Sequence, residues 1–279
     1  MKHRARAFGT AALTALTLFG TAGCELVAPA TAVSEPVEQL PASAPEAGRA
    51  AAAVLATLPV KGRAPKTGYD RDRFGPQWAD VDHNGCDTRN DILRRDLTDL
   101  TFKPGTRDCV VLSGTLADPY TGTTIDFVKG DGSSVDIDHV VALGNGWQTG
   151  AFAWDEARRT AFANDPLNLL AVDSSANRQK GDGDAATWLP PARGSRCGYV
   201  ARQVAVKATY GLWVTSAERD AMTRVLDGCP AEPVPSSAPT EQPYPDCAAA
   251  RAAGAAPLHR GDAGWSDAMD GDGDGVACE

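Results

Sequence analysis

The run "PAEPVPSSAPTEQP" (230–243) contains five prolines. Proline has no N–H to give to a ladder and fixes its own φ, so such a run fits neither a helix interior nor a central strand. It therefore cuts the chain in two. Before it, residues 25–60 are rich in Ala, Pro, Glu and Ser with little periodicity, which predicts a disordered tether. The expected organisation is a main domain at 61–229, the Pro/Ser-rich linker at 230–243 and a small unit at 244–279.

The chain opens with Lys2, Arg4 and Arg6 ahead of an apolar stretch too short to span a bilayer, so residues 1–24 read as an export signal. "TAGC" (21–24) has the form of a bacterial lipobox, which implies lipidation at Cys24. The expected location is thus extracellular or at the cell surface, anchored to the membrane or envelope by lipid. Cleavage near Ala28-Pro29-Ala30 is the alternative. No later stretch is long and apolar enough for a transmembrane helix. Beyond Cys24 six cysteines remain: Cys86, Cys109, Cys197, Cys229, Cys247 and Cys278. In an exported chain an even count reads as a disulfide framework. Sequential pairing is expected, because each bridge then closes within one region and none crosses the linker. Each such bridge contributes about 3 kcal/mol by restricting the unfolded chain. No two cysteines have the close spacing of a zinc knuckle.

The net charge of −9 becomes −12 once the three basic residues of the signal are removed. Most of that acidity falls in the tether and after residue 229, leaving the main domain near neutral. A nucleic-acid partner needs only a local basic surface. Along the main domain, "TRNDILRRDLTDL" (88–100) has helical spacing with Asp87 as N-cap, and "DCVVLSGTLADPYTGTTIDFV" (108–128) reads as a β-hairpin. Helices are predicted over 154–165, from 174, over "YVARQVAVKATYGL", and over "TSAERDAMTRVLDGC" with a capping box at Glu218. "PLNLLAV" (166–172) reads as a short buried strand or turn. The order of elements is that of an α+β domain.

"VDIDHVVAL" (135–143) places Asp136, Asp138 and His139 beside a β-branched apolar run, where polar groups need partners or a metal. Alone, His139 would be read as a structural histidine, "NDPLNLL" as a turn and Asn177 as a helix-end residue. Their ordered joint occurrence, Asp138-His139, Asn168, then Asn177 and Lys180, is specific. With "GYDRDRFGPQWADVDHNGCDTRNDILRRDL", "DPYTG", "ANRQKGD" and "WLPP", it resembles the secreted HNH endonuclease family of the GmrSD type. The resemblance implies a ββα-metal core within a mixed helical domain, nucleic acid (DNA foremost) as substrate, and Mg²⁺ or Mn²⁺ as cofactor. It implies His139 as general base, Asn168 as the residue orienting it, and Asp138 and Asn177 as metal ligands. Asp136 shares a strand face with Asp138 and reads as a group behind the ligands, an additional ligand or an ordinary edge residue, and Arg178 and Lys180 fit contacts to phosphate. The chemistry agrees: phosphodiester hydrolysis needs a base near neutral pKa and a hard cation on oxygen ligands. Neighbours on a regular strand face opposite ways, so β-structure must twist or end at Asp138-His139 if both are to serve one site. Trp147, Trp154 and Trp188 read as core anchors. Asp80, Asp82, Asn84, Gly85 and Asp91 mimic an EF-hand spacing, but read better as a polar turn capping the next helix.

The last 36 residues resemble the excalibur module, which ends D-x-D-x-D-G-x-x-C-E. That implies Ca²⁺ held by Asp270, Asp272, Asp274 and Glu279, with Cys247 and Cys278 stapling a unit poor in large apolar residues. The alternative to an enzyme is a catalytically silent, calcium-binding surface protein. No protein partner is implied.

Overall fold

The computed structural model describes residues 48–81, 84–132, 134–235, 247–252, 257–259, 265–271 and 276–278. The signal, Cys24, most of the tether, and Asp272, Asp274 and Glu279 lie outside them. The architecture is α+β, as the sequence predicts.

Ala51–Leu55 (α1) opens the described fold. This end of the expected tether is built into the domain: Ala51, Val54 and Leu55 are buried in the main core. The first residues of the linker join it, with the Ala51 N–H donating to Glu232 O and the Val234 N–H to Arg49 O, both at 2.8 Å. Ala and Val spaced one turn apart give α1 an apolar stripe, which outweighs the region's low-complexity composition.

Thr88–Asp96 (α2) starts where the Asp87 carboxylate accepts the Asn90 N–H at 2.9 Å. The predicted helix over 88–100 stops short at Asp96. From Leu97 the chain is a strand, Leu97–Phe102 (β1), antiparallel to Val111–Ala117 (β2), which pairs in turn with Thr124–Val128 (β3). Tertiary pairing overrides the helical pattern there: Leu97 lies opposite Leu116 and Thr98 opposite Thr115. Val135–His139 (β4) then pairs antiparallel with Leu169–Asp173 (β5), and Ser174–Lys180 (α5) follows directly. These three make the ββα succession. Between β4 and β5 lie Leu143–Gln148 (α3) and Glu156–Asn164 (α4), which ends before Pro166.

Two cores meet at the β4–β5 pair. On one side Ile92, Leu93, Leu116 and Phe127 pack with Val135, Ile137, Leu169 and Ala171. On the other, Val172 joins a helical core around Arg196–Tyr210 (α6) and Ser216–Leu226 (α7), the latter closed by the predicted Thr215–Glu218 capping box. A buried Lys207, with Nζ 3.0 Å from Glu218 and 3.0 Å from Asn145 Oδ1, links α3, α6 and α7. Disulfides join Cys86 to Cys109 and Cys197 to Cys229. In the C-terminal unit Cys247–Ala252 (α8) is tied by Cys247–Cys278 to a short antiparallel pair, Leu258–His259 (β6) with Val276–Ala277 (β7).

Candidate active site

Two features flank the end of β4: a cleft on the His139 side and a polar cluster beneath α5. The cleft wall is a strap around Asp70–Ala79. The Asp70 carboxylate accepts the Asp72 N–H, Phe74 is buried against Trp147 and Phe162, and Arg159 Nε donates to Arg73 O at 2.6 Å. Gly75 has φ +77, and a Cβ there would overlap Thr160 Oγ1, so only glycine lets the strap close on α4. Thr88 Oγ1 donates to Ala79 O at the other end. Between these anchors Trp78 is held at φ 57. That is a left-handed conformation costly for a bulky residue, of the kind that persists where its surroundings over-determine it.

Trp78 faces the His139 ring with centroids 6.3 Å apart and planes 14° from parallel. His139 is 8% exposed and its Nε2 lies 2.8 Å from Ala163 O. A carbonyl only accepts, so Nε2 carries the proton and Nδ1 is the basic nitrogen. Burial, helped by the charges of Arg71 and Lys180, pushes the imidazole down to about 3, which keeps it neutral at physiological pH. Asn168, fully buried, accepts the Val141 N–H at 2.8 Å and donates to Val141 O and Phe162 O, both at 3.3 Å. Its backbone carbonyl accepts the Val140 N–H at 2.7 Å. Asn168 thus fixes the chain leaving His139 rather than touching the ring.

β4 stays regular through His139, with His139 opposite Leu169 and Asp138 opposite Leu170. Alternation therefore turns Asp136 and Asp138 toward α5 and His139 toward Trp78. Asn177 and Lys180, one helical turn apart, meet the two carboxylates in order. Asn177 Nδ2 donates to Asp136 Oδ2 at 3.1 Å, and Lys180 Nζ lies 3.0 Å from Asp138 Oδ1 and 2.8 Å from His139 O. Tyr120 OH donates to Asp138 Oδ2 at 2.5 Å. Tyr120 is aimed by the "DPYTG" turn, whose Asp118 accepts the N–H groups of Tyr120, Thr121 and Asp173. Burial raises the Asp138 carboxyl, against the opposing pull of Lys180 and Tyr120.

The structure departs from the expected roles in two places. Lys180, 3% exposed, is not available to phosphate, because its ammonium is spent on Asp138 and the His139 carbonyl. Both oxygens of Asp138 are engaged, so a cation reaches it only by displacing Lys180. Asp136, for which the sequence left three roles open, is the carboxylate that meets Asn177. Half-buried oxygens on Asp136 and Asn177 suit a hard cation that keeps most of its waters. Arg178 is exposed. Among the described residues, the one convergence of three metal-ligating side chains is Cys197, Cys229 and Glu232, where the cysteines are already paired. Asp80 accepts the Gly85 N–H at 3.0 Å and Asn84 Nδ2 donates to Asp91 Oδ1 at 3.2 Å, polar contacts at the start of α2, with Asp82 outside the described residues. Trp78, Arg71 and Tyr120 were not singled out by the sequence. A lone tryptophan after Gly-Pro, amid charged residues, was the available signal for the first.

No solved structure matches the chain. Residues 244–279 match the model of the excalibur calcium-binding domain. A relative described as an uncharacterized secreted protein, from Arthroderma benhamiae, is 40% identical over 181 residues, covering 64% of this chain and 84% of that protein. Residues 87–225 match the model of the C-terminal domain of GmrSD restriction endonucleases, a span that contains β4, β5, α5 and every residue of the HNH-like cluster. Residues 87–225 thus belong to the family of that C-terminal domain, and an excalibur calcium-binding module follows them.

Proposed function

We propose that the chain is an exported, metal-dependent endonuclease that hydrolyses phosphodiester bonds of nucleic acid, with DNA as its main substrate and His139 as general base. The observation that carries this reading is the imidazole on the cleft wall whose Nε2 lies 2.8 Å from Ala163 O, leaving Nδ1 to take a proton from water. The water oxygen then attacks phosphorus and the bond to the leaving oxygen breaks. Burial alone makes His139 a weak base, but an anionic phosphate beside it opposes that and raises its affinity for a proton. Asn168 holds the chain behind it, and Arg178 and Arg71 are the exposed cations suited to phosphate. The divalent cation of an HNH-type nuclease would be held by Asp136 and Asn177, and by Asp138 where Lys180 yields; because the regular strand turns His139 to the opposite face, ion and base serve one phosphate only if the substrate lies across the end of β4. When bound, it supplies neutralisation of charge on the phosphate and leaving oxygen. Purified protein is expected to nick plasmid DNA with Mg²⁺ or Mn²⁺ and to stop when the ion is chelated. Absence of cleavage with every divalent cation tried would favour the second reading, a silent surface protein, which the Lys180–Asp138 pair supports.

The secreted relative supports an extracellular or cell-surface location, with Cys24 as the proposed lipid anchor. Among the described residues no helix is long and apolar enough to cross a membrane. In the C-terminal unit, Asp270 is buried beside the Asp267–Met269 turn. We assign it to a Ca²⁺ site with Asp272, Asp274 and Glu279. Calcium at a hundredfold excess over its Kd is expected to stabilise this unit by about 2.7 kcal/mol. Calorimetry should show that gain vanish in Asp272→Ala/Asp274→Ala while plasmid cleavage persists.

A further inference from the structure

The strap that carries Trp78 supplies neither the base nor the cation ligands, yet it is anchored at both ends beside them. Gly75 is locked onto α4, Ala79 is tied to the start of α2, and the tryptophan between them adopts φ 57. Trp78 is half-buried, with part of the side chain packed on the core around Ile92 and Ile137. The unfavourable conformation sets the indole nearly parallel to the His139 ring, on the wall of an open cleft lined also by Arg71, Gln77, Leu143 and Ala163. Arg71 is exposed at the rim.

We propose that this cleft takes an unstacked nucleobase laid on the Trp78 indole, its adjoining phosphate directed toward Arg71 and His139, so that the preferred substrate is single-stranded or locally unpaired nucleic acid. The inference rests on the nuclease reading of His139. A base inside a duplex is covered on both faces by its neighbours and offers only its edges to the grooves, so an indole recessed beside the general base is reached only by a base that has left the stack. Base–aromatic stacking accepts any base and needs no edge recognition, so the cleft selects for strand state rather than for sequence. The guanidinium at the rim supplies the phosphate contact that fixes the register of the strand.

The test uses the full chain with chelator present to hold cleavage off. Affinity is read for a short labelled single strand and for the same sequence closed into a hairpin duplex. Trp78→Leu is expected to weaken single-strand binding by about 5- to 150-fold, the effect of losing one stacked base, and to leave duplex binding nearly unchanged. Trp78→Phe should recover most of the single-strand affinity, and Arg71→Met should weaken it in its turn. Melting curves establish that each variant is folded. If Trp78→Leu does not fold, Trp78→Phe decides: an intermediate single-strand affinity with unaltered duplex binding supports the proposal, and equal losses on both overturn it. Wild-type single-strand affinity in folded Trp78→Leu also overturns it. A parallel plasmid assay separates the two ideas. Cleavage by wild type with no Trp78 effect on strand preference sinks only the stacking proposal. Trp78-dependent single-strand binding without cleavage under any cation sinks only the nuclease reading.

Discussion

His139→Ala is expected to slow phosphodiester cleavage by about 10²- to 10⁴-fold, the usual contribution of a positioned general base, while leaving substrate affinity within a few-fold of wild type. The loss should fall on kcat, because the ring's role begins only as a proton leaves the attacking water. Stability should fall by about 1–3 kcal/mol, since the truncation takes from the buried Ala163 carbonyl its imidazole donor and removes the ring that faces Trp78. Steady-state cleavage of a labelled oligonucleotide, with melting curves as control, measures both. Cleavage at the wild-type rate by the folded variant would remove His139 from the mechanism. His139→Gln sharpens the result: its amide can donate to the Ala163 carbonyl but offers no basic nitrogen, so it should preserve the packing and remain as slow as alanine.

The elements that were legible in the sequence are those specified by local chemistry. Asp87 capping α2, the Thr215–Glu218 box on α7 and the break before Pro166 each depend on residues within one turn of one another. The end of α2 was not legible, because Leu97 sits in register with the apolar stripe of the helix, and its pairing with Leu116 comes from a strand distant in sequence. The same division runs through the site. The chemical types at Asp136, Asp138, His139, Asn168 and Asn177 announced a hydrolytic cluster, but their partners depended on which way each side chain of β4 faces. A strand that ended at Asp138 would have gathered Asp138 and His139 together. Continuous pairing with β5 instead separates them and hands Asp138 to Lys180. Lysine in a short helix reads by default as a solvated cation, and nothing local reveals that "DPYTG", upstream of β3, brings Tyr120 to close the other side of the same carboxylate.

Lys180→Met is expected to destabilise the domain by about 3–5 kcal/mol at neutral pH, because it leaves the Asp138 carboxylate, 6% exposed, without the ammonium that faces both its oxygens. Methionine replaces most of the lysine stem, so the cost is electrostatic rather than a cavity. Most of it should therefore disappear when the stranded charge is removed as well. In the double variant Asp138→Asn/Lys180→Met the introduced amide oxygen still accepts from Tyr120 OH, and the unfolding midpoint should lie well above that of Lys180→Met alone. A double-mutant cycle in denaturant measures the coupling, and simple additivity of the two single costs would show that the pair is not what holds this part of the fold. The same variants separate the structural ammonium from a catalytic cation. With Lys180 gone, Asp138 and Asp136 are both turned toward α5 without a protein cation between them and the site. Added Mg²⁺ should then raise the melting midpoint of Lys180→Met more than that of wild type, and should not do so once the Asp138 carboxylate is replaced by an amide. A wild-type response equal to that of Lys180→Met would mean that the divalent ion never meets Asp138, leaving Asp136 and Asn177 as its protein ligands whether or not the lysine is present.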